Sequence, residues 1–166
     1  MEEFYFKDDW NDILKEHREK LVYDNFDRTS ALSLALIIIE NAKDEKYGDV
    51  AIKIYEYETI IFSYKMGNTG LTNDAWMMRK LAVTKISGYS SLESLALSKR
   101  GLIKPFWNER EDNFAPCGGC FPLYDTKQNR TPYTVLVSGL PHFNDHNLIA
   151  ESIAKHKNIK VNLLTK

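Results

Sequence analysis

Two short runs constrain this chain most: Val50-Ala51-Ile52-Lys53-Ile54-Tyr55 and Thr59-Ile60-Ile61-Phe62-Ser63-Tyr64-Lys65-Met66, separated by the polar turn Glu56 to Glu58. Strand side chains alternate between faces, so Val50, Ile52 and Ile54 share one face, as do Ile60, Phe62, Tyr64 and Met66 in the second run. The spacing predicts an antiparallel hairpin. A lone hairpin is marginal in water, so the rest of the chain must supply further strands or a covering helix.

Both are foreseen. Cys120 to Tyr124 and Tyr133 to Ser138 read as a second hairpin around the polar turn Asp125 to Thr131. Asp9 to about Val22 carries Trp10, Ile13, Leu14 and Leu21 at helical spacing among many charges, which predicts an exposed amphipathic helix. Ser30 to Ala42 is apolar on nearly every side, so a helix here is expected to be covered by protein all round, with an N-cap oxygen from Asp27 or Thr29. Thr72 or Asn73 is the expected cap of a helix carrying Trp76, Met77, Lys80 and Val83. Ser90-Ser91-Leu92-Glu93 has capping-box spacing for a short helix that stops by Gly101. Gly101 to Gly119 has no clean period and reads as an irregular excursion. Phe143 and Leu148 suit a hydrophobic staple, with Asn144 as N-cap and His142 outside the final helix.

The order of helices, hairpin, helices, loop, hairpin and helix predicts an α+β fold with an antiparallel sheet flanked by helices. At 166 residues the chain suits one domain spanning 1–166. Lys plus Arg number 22 against 23 Asp plus Glu, so no net basic charge draws it to nucleic acid or an anionic membrane. The longest apolar run, Leu34 to Ile39, is far short of the about 20 residues of a membrane helix. The acidic start lacks the basic and apolar regions of a signal peptide, so a cytoplasmic protein with reduced cysteines is expected.

Five blocks stand out as a set: Asn73-Asp74-Ala75-Trp76-Met77-Met78-Arg79-Lys80, Ser90-Ser91, Gly118-Gly119-Cys120-Phe121-Pro122, Val137-Ser138-Gly139-Leu140-Pro141 and Asp145-His146. In order and spacing they resemble an uncharacterised family of small proteins within the heme-degrading-domain, GlcG/HbpS-like superfamily. The resemblance runs from about Asp9 to Lys155. It implies a profilin-like fold, a central antiparallel sheet with helices on both faces in three layers, assembled into homo-oligomers. It also implies heme or cobalamin association in distant relatives, with no agreed reaction for this branch. Relatives of this branch commonly carry a histidine before the Gly-Gly pair, where this chain has Cys117.

The residues leave several chemistries open. Cys117-Gly118-Gly119-Cys120 suits a dithiol or half of a four-cysteine zinc site completed by a second subunit, and equally a tightly packed loop. His142 and His146 are the histidines best placed for heme or metal ligation, against a capping or packing role for Asp145-His146. Trp76, Arg79 and Lys80 lie within about one turn and suit an anionic group such as a heme propionate, or a core tryptophan beside a solvated edge. A ligand is therefore expected between Trp76 to Lys80 and the loops at Gly118, Gly119 and Pro141, with His146 nearby. Ser138-Gly139-Leu140 is no serine-hydrolase elbow, since Leu136 stands where its first glycine belongs. No catalytic constellation emerges, and Glu109-Arg110-Glu111-Asp112 reads as a solvated loop or a rim for a neighbouring subunit.

Overall fold

A computed structural model describes residues 4–166. In chain order its elements are α1 (Trp10–Lys20), β1 (Val22–Tyr23), α2 (Arg28–Ala42), β2 (Ala51–Glu56), β3 (Thr59–Lys65), α3 (Leu71–Ser87), α4 (Ser91–Lys99), β4 (Cys120–Asp125), β5 (Arg130–Ser138) and α5 (His142–Lys157). Two 3-10 turns, Phe106–Glu109 and Glu111–Asn113, punctuate the long excursion before β4.

Both foreseen hairpins form, and they join through their inner strands: the sheet order is β1-β4-β5-β2-β3, with β2 antiparallel to β5 from Ala51↔Ser138 to Glu56↔Tyr133. A bulge between Ile54 and Tyr55 shifts the β2–β3 register, so Ile54 faces Phe62 and Tyr55 faces Ile60. β1 is an addition to the expected antiparallel set. Its two residues pair in parallel with Tyr124 and Asp125, too short for any alternation to show in the sequence.

The strand alternation sorts two cores. Ile52, Ile54, Phe121, Leu123, Val135 and Val137 face α2 and α5, with Leu34, Ile38, Leu148 and Ile153 packed against them. Ala51, Tyr55, Cys120 and Leu136 point the other way, onto Met77 and Leu81 of α3. Helices thus cover both faces of one sheet, the three-layer α+β arrangement that was expected. A third cluster, Trp10, Leu14, Val83, Leu92 and Trp107, ties α1, α4 and the excursion together.

Several local expectations are corrected. α2 is not covered all round, because Leu32 and Leu36 are half exposed, 52% and 55%, one turn apart on its outer side. Its cap is Asp27, whose carboxylate accepts from Ser30 N at 2.8 Å. α3 starts at Leu71 after Gly70, one residue before the expected caps, and Asn73 Oδ1 reaches back to accept from Gly70 N at 2.9 Å. Ser90 caps α4, but Glu93 does not close the box: Arg18 of α1 takes it at 2.9 Å. α5 begins at His142, not after Asn144, because Pro141 has no N–H to satisfy and its carbonyl already accepts from Asn144 and Asp145. Among the described residues no helix is long and apolar enough to cross a membrane.

Candidate functional site

Where α3 enters and β5 hands over to α5, the layers leave a cleft of about 380 Å³, within the usual size of small-molecule sites. α3 contributes Thr72, Asn73, Trp76 and Lys80; the end of β5 contributes Ser138 and the turn after it Gly139 and Leu140; α5 contributes His142 and Asp145. Cys117 and Phe4 complete it. Apolar walls with a few converging polar groups are the usual make-up of a ligand site.

The polar floor is built on Lys80, one of the least exposed cations in the chain at 2%. Its ammonium donates to Asp145 Oδ2 at 2.9 Å and to the Val137 carbonyl at 3.1 Å. Asp145 Oδ1 in turn accepts from Leu140 N at 3.0 Å, which fixes the Ser138 to Pro141 turn against the start of α5. Burial pushes the Asp145 carboxyl up, to about 6, against the pull of Lys80 and the backbone amides of Leu140 and Gly139. Burial opposes the Lys80 charge as well, yet Asp145 together with Cys117 and Cys120 outweighs it and holds the ammonium above its ordinary value. Asn73 Nδ2 donates to the Ser138 carbonyl and hydroxyl, both at 3.3 Å, tying α3 to the same turn.

His142 forms one wall. Its Nδ1 accepts from Gly118 N at 3.2 Å and its Nε2 meets the Tyr5 carbonyl at 2.8 Å. A carbonyl only accepts, so Nε2 carries the proton and Nδ1 the lone pair. Burial pushes this imidazole down to about 4, and the Tyr5 carbonyl pulls the other way. His146, one turn along, is buried and leaves the cleft. It stacks on His17 with ring centroids 5.2 Å apart, and its Nε2 lies 3.0 Å from His17 Nδ1. His17 Nε2 must donate to the Asn162 carbonyl at 2.6 Å, so His146 Nε2 donates to His17. Its Nδ1 has no hydrogen-bond partner among the described residues.

Of the residues expected from sequence, Trp76, Lys80 and Cys117 line the cleft. Arg79 stands aside: its guanidinium lies 4.6 Å over the Trp76 ring and donates to the carbonyls of Glu111 and Phe114, so it anchors the irregular excursion. Gly118 and Gly119 pack beneath the cleft. A side chain at Gly118 would strike the His142 carbonyl, and one at Gly119, where φ is +122°, would meet the Val137 carbonyl and Lys80 Nζ. Pro141 caps α5 at the cleft edge. Cys120 points into the core under α3, fully buried, with its thiol pushed up to about 12 by burial. Among the described residues no three His, Cys, Asp or Glu side chains gather as a metal-binding group.

Phe4, Thr72, Asn73, Ser138, Gly139, Leu140 and Asp145 also line the cleft and were not expected from sequence as ligand residues. Ser138 and Leu140 carried a signal, since they belong to the Val137 to Pro141 block. Phe4 carried none.

Comparison with known proteins agrees with this architecture. The profile of a family described as "Haem degrading protein HbpS-like" matches residues 26–154. A UPF0303 protein of Yersinia pestis (strain Pestoides F) is 34% identical over 143 residues, covering 84% of this chain and 82% of its own. One from Rhizobium etli (strain CIAT 652) is 33% identical over 148 residues, covering 89% and 88%. Among solved structures, the Ybr137w protein superposes with a TM-score of 0.76 at 21% identity, covering 89% of this chain and 87% of that one. A PduOC:heme complex gives 0.63 at 15%, covering 84% and 99%. A double mutant of Streptomyces reticuli HbpS gives 0.58 at 15%, covering 80% and 87%. At these identities the structures speak for the fold, while the profile and the sequence relatives place the whole body from α2 to α5. The chain belongs to the HbpS-like family of heme-degrading-type proteins.

Proposed function

We propose that this protein is a cytoplasmic, homo-oligomeric binding protein whose cleft takes a planar ligand of the tetrapyrrole class. The observation that carries the reading is the cleft itself: the Trp76 ring as an aromatic wall above a floor of Lys80, Asn73 and Ser138. The family and the heme complex of a structural neighbour make a tetrapyrrole the favoured ligand class.

Heme fits this site in part. The walls suit the macrocycle edge, and Lys80 and the His142 N–H suit its carboxylates. His142, the histidine that lines the cleft, offers iron no lone pair there, because it keeps its proton on Nε2; His146 carries a lone pair on its unpartnered Nδ1 but is buried outside the cleft lining, with its Nε2 on His17. The family name therefore brings no degradation step to these residues.

Assembly is supported by exposed apolar side chains on α3, where Leu71 is 85% and Met78 52% exposed about two turns apart, beside cleft residues Thr72 and Trp76. Contiguous exposed apolar surface is a mark of interaction sites.

Titration with hemin, followed by the Soret band and by tryptophan fluorescence, tests the binding reading. A saturable Soret shift at about one ligand per chain, weakened by Trp76→Ala, is expected. No shift at stoichiometric hemin would overturn it. Native mass spectrometry of the same sample reads the subunit number.

A further inference from the structure

The cleft already holds a piece of its own chain. Phe4 stands edge-on to Trp76 and to His142, with ring centroids 6.2 and 5.7 Å apart, and the Tyr5 carbonyl takes the His142 Nε2 proton at 2.8 Å. Tyr5 is 45% exposed and touches Trp10 edge-on at 5.5 Å, and Phe6 meets the same ring edge-on at 5.5 Å.

From behind, the ring is fixed. Gly118 N donates to Nδ1 at 3.2 Å, which keeps the lone pair there and the proton on the cleft side. Whatever replaces the Tyr5 carbonyl must therefore accept a hydrogen bond. The charged and titratable groups around His142 are Lys80 from α3, Asp145 and His146 from α5 itself, and Cys117 across the cleft; Lys80 is paired with Asp145 at 2.9 Å, so the His142 N–H is the cleft's donor for an incoming acceptor, with Lys80 beside it.

We propose that Phe4 and Tyr5 form a strap that lifts when ligand binds, and that a ligand carboxylate takes the place of the Tyr5 carbonyl on the His142 Nε2 proton. This rests on the reading of the cleft as a tetrapyrrole-class site and assigns the ligand's acidic arm within it: flat body against Trp76, carboxylate towards His142 and Lys80. His142 is then a hydrogen-bond donor to the ligand, not a metal ligand. The exchange is favourable in kind, because a hydrogen bond to a carboxylate is roughly twice as strong as one to a neutral carbonyl.

Two arms test it. Without ligand, NMR titration of the His142 ring compares the whole chain, Phe4→Gly and a chain that starts at Phe6. The whole chain should titrate near the burial-depressed value of about 4, and both variants should titrate at least about one unit higher with the proton still on Nε2. Equal values in all three would overturn the strap. With ligand, deuteroporphyrin IX is compared with its dimethyl ester. The whole chain should bind the diacid about ten-fold more tightly, and the chain starting at Phe6 should bind it faster. His142→Phe should erase most of that preference, and His142→Gln, which keeps a donor, should retain part of it. Equal affinity for diacid and ester would overturn the carboxylate assignment and leave the tetrapyrrole reading standing. Binding of neither porphyrin would sink both, and the ligand-free arm would still judge the strap.

Discussion

Lys80 and Asp145 meet at 2.9 Å beneath the cleft, both almost wholly buried, and join the middle of α3 to the first turn of α5. Removing one partner of such a pair leaves an uncompensated buried charge, at a cost of about 3–5 kcal/mol, whereas replacing both with apolar groups costs far less. Lys80→Met is expected to lower unfolding free energy by roughly that amount in urea titrations. The double variant Lys80→Met, Asp145→Leu should recover part of the loss. A single variant as stable as the parent would show that the pair does not hold the cleft floor.

The buried histidines set a pH dependence. Burial lowers the pKa of His17, His142 and His146 in the folded chain, to about 4 for His142, while the unfolded chain keeps the ordinary value near 6.5. As pH falls below about 6.5 the unfolded chain takes up protons that the folded chain refuses, so stability falls and continues to fall towards 4. Asp145 acts in the opposite sense over part of this window, because its folded pKa is raised to about 6 and the folded chain holds that proton more tightly. Burial also lowers His156 and raises Glu93, and four imidazoles against two carboxyls give a net acid lability. Thermal melts from pH 7.5 to 4.5 should show a falling midpoint, with a shallower fall in the His17→Phe, His146→Leu variant.

Much of this was legible beforehand. Alternation in Val50 to Tyr55 and Thr59 to Met66 located the hairpin because strand faces impose a period of two, and both hairpins and five helices follow the sequence pattern. What pattern does not carry is the order of strands across the sheet, since the β2–β5 pairing joins residues 80 or so positions apart by backbone bonds that every residue offers alike. The site was half legible for the same reason. Trp76 and Lys80 announce themselves by type, and the structure brings them to one cleft. Arg79 was misjudged as cleft-facing because helical spacing gives its neighbours along α3 and not the loop that folds over it. Phe4 reaches the cleft through tertiary packing alone.

The two cysteines should differ in reach. Cys120 lies in the α3-side core with its thiol pushed up to about 12, which leaves almost no thiolate at pH 8. Peptide mapping after iodoacetamide treatment of native protein at pH 8 should find Cys120 unmodified, and modified once the chain is unfolded in urea. Rapid native alkylation of Cys120 would return the Cys117 to Cys120 pair to consideration as a reactive centre.

Gly118 supports the cleft by having no side chain. Any Cβ there would run into the His142 carbonyl and press on His146. Overpacking of this kind costs typically about 1–3 kcal/mol. Gly118→Ala is therefore expected to lower the melting midpoint and to disturb the Gly118 N to His142 Nδ1 bond. A shift of the His142 ring resonances in that variant is the signature that separates this from general loosening.

The claim that the cleft between α3 and the turn after β5 is the binding site is tested most directly by mapping amide and ring chemical shifts during titration with deuteroporphyrin IX. Saturable changes are expected at Thr72, Trp76, Ser138, Leu140 and His142, and none at Leu32 and Leu36 on the far side of the sheet. Changes centred on α2, or no saturable change anywhere, would contradict it.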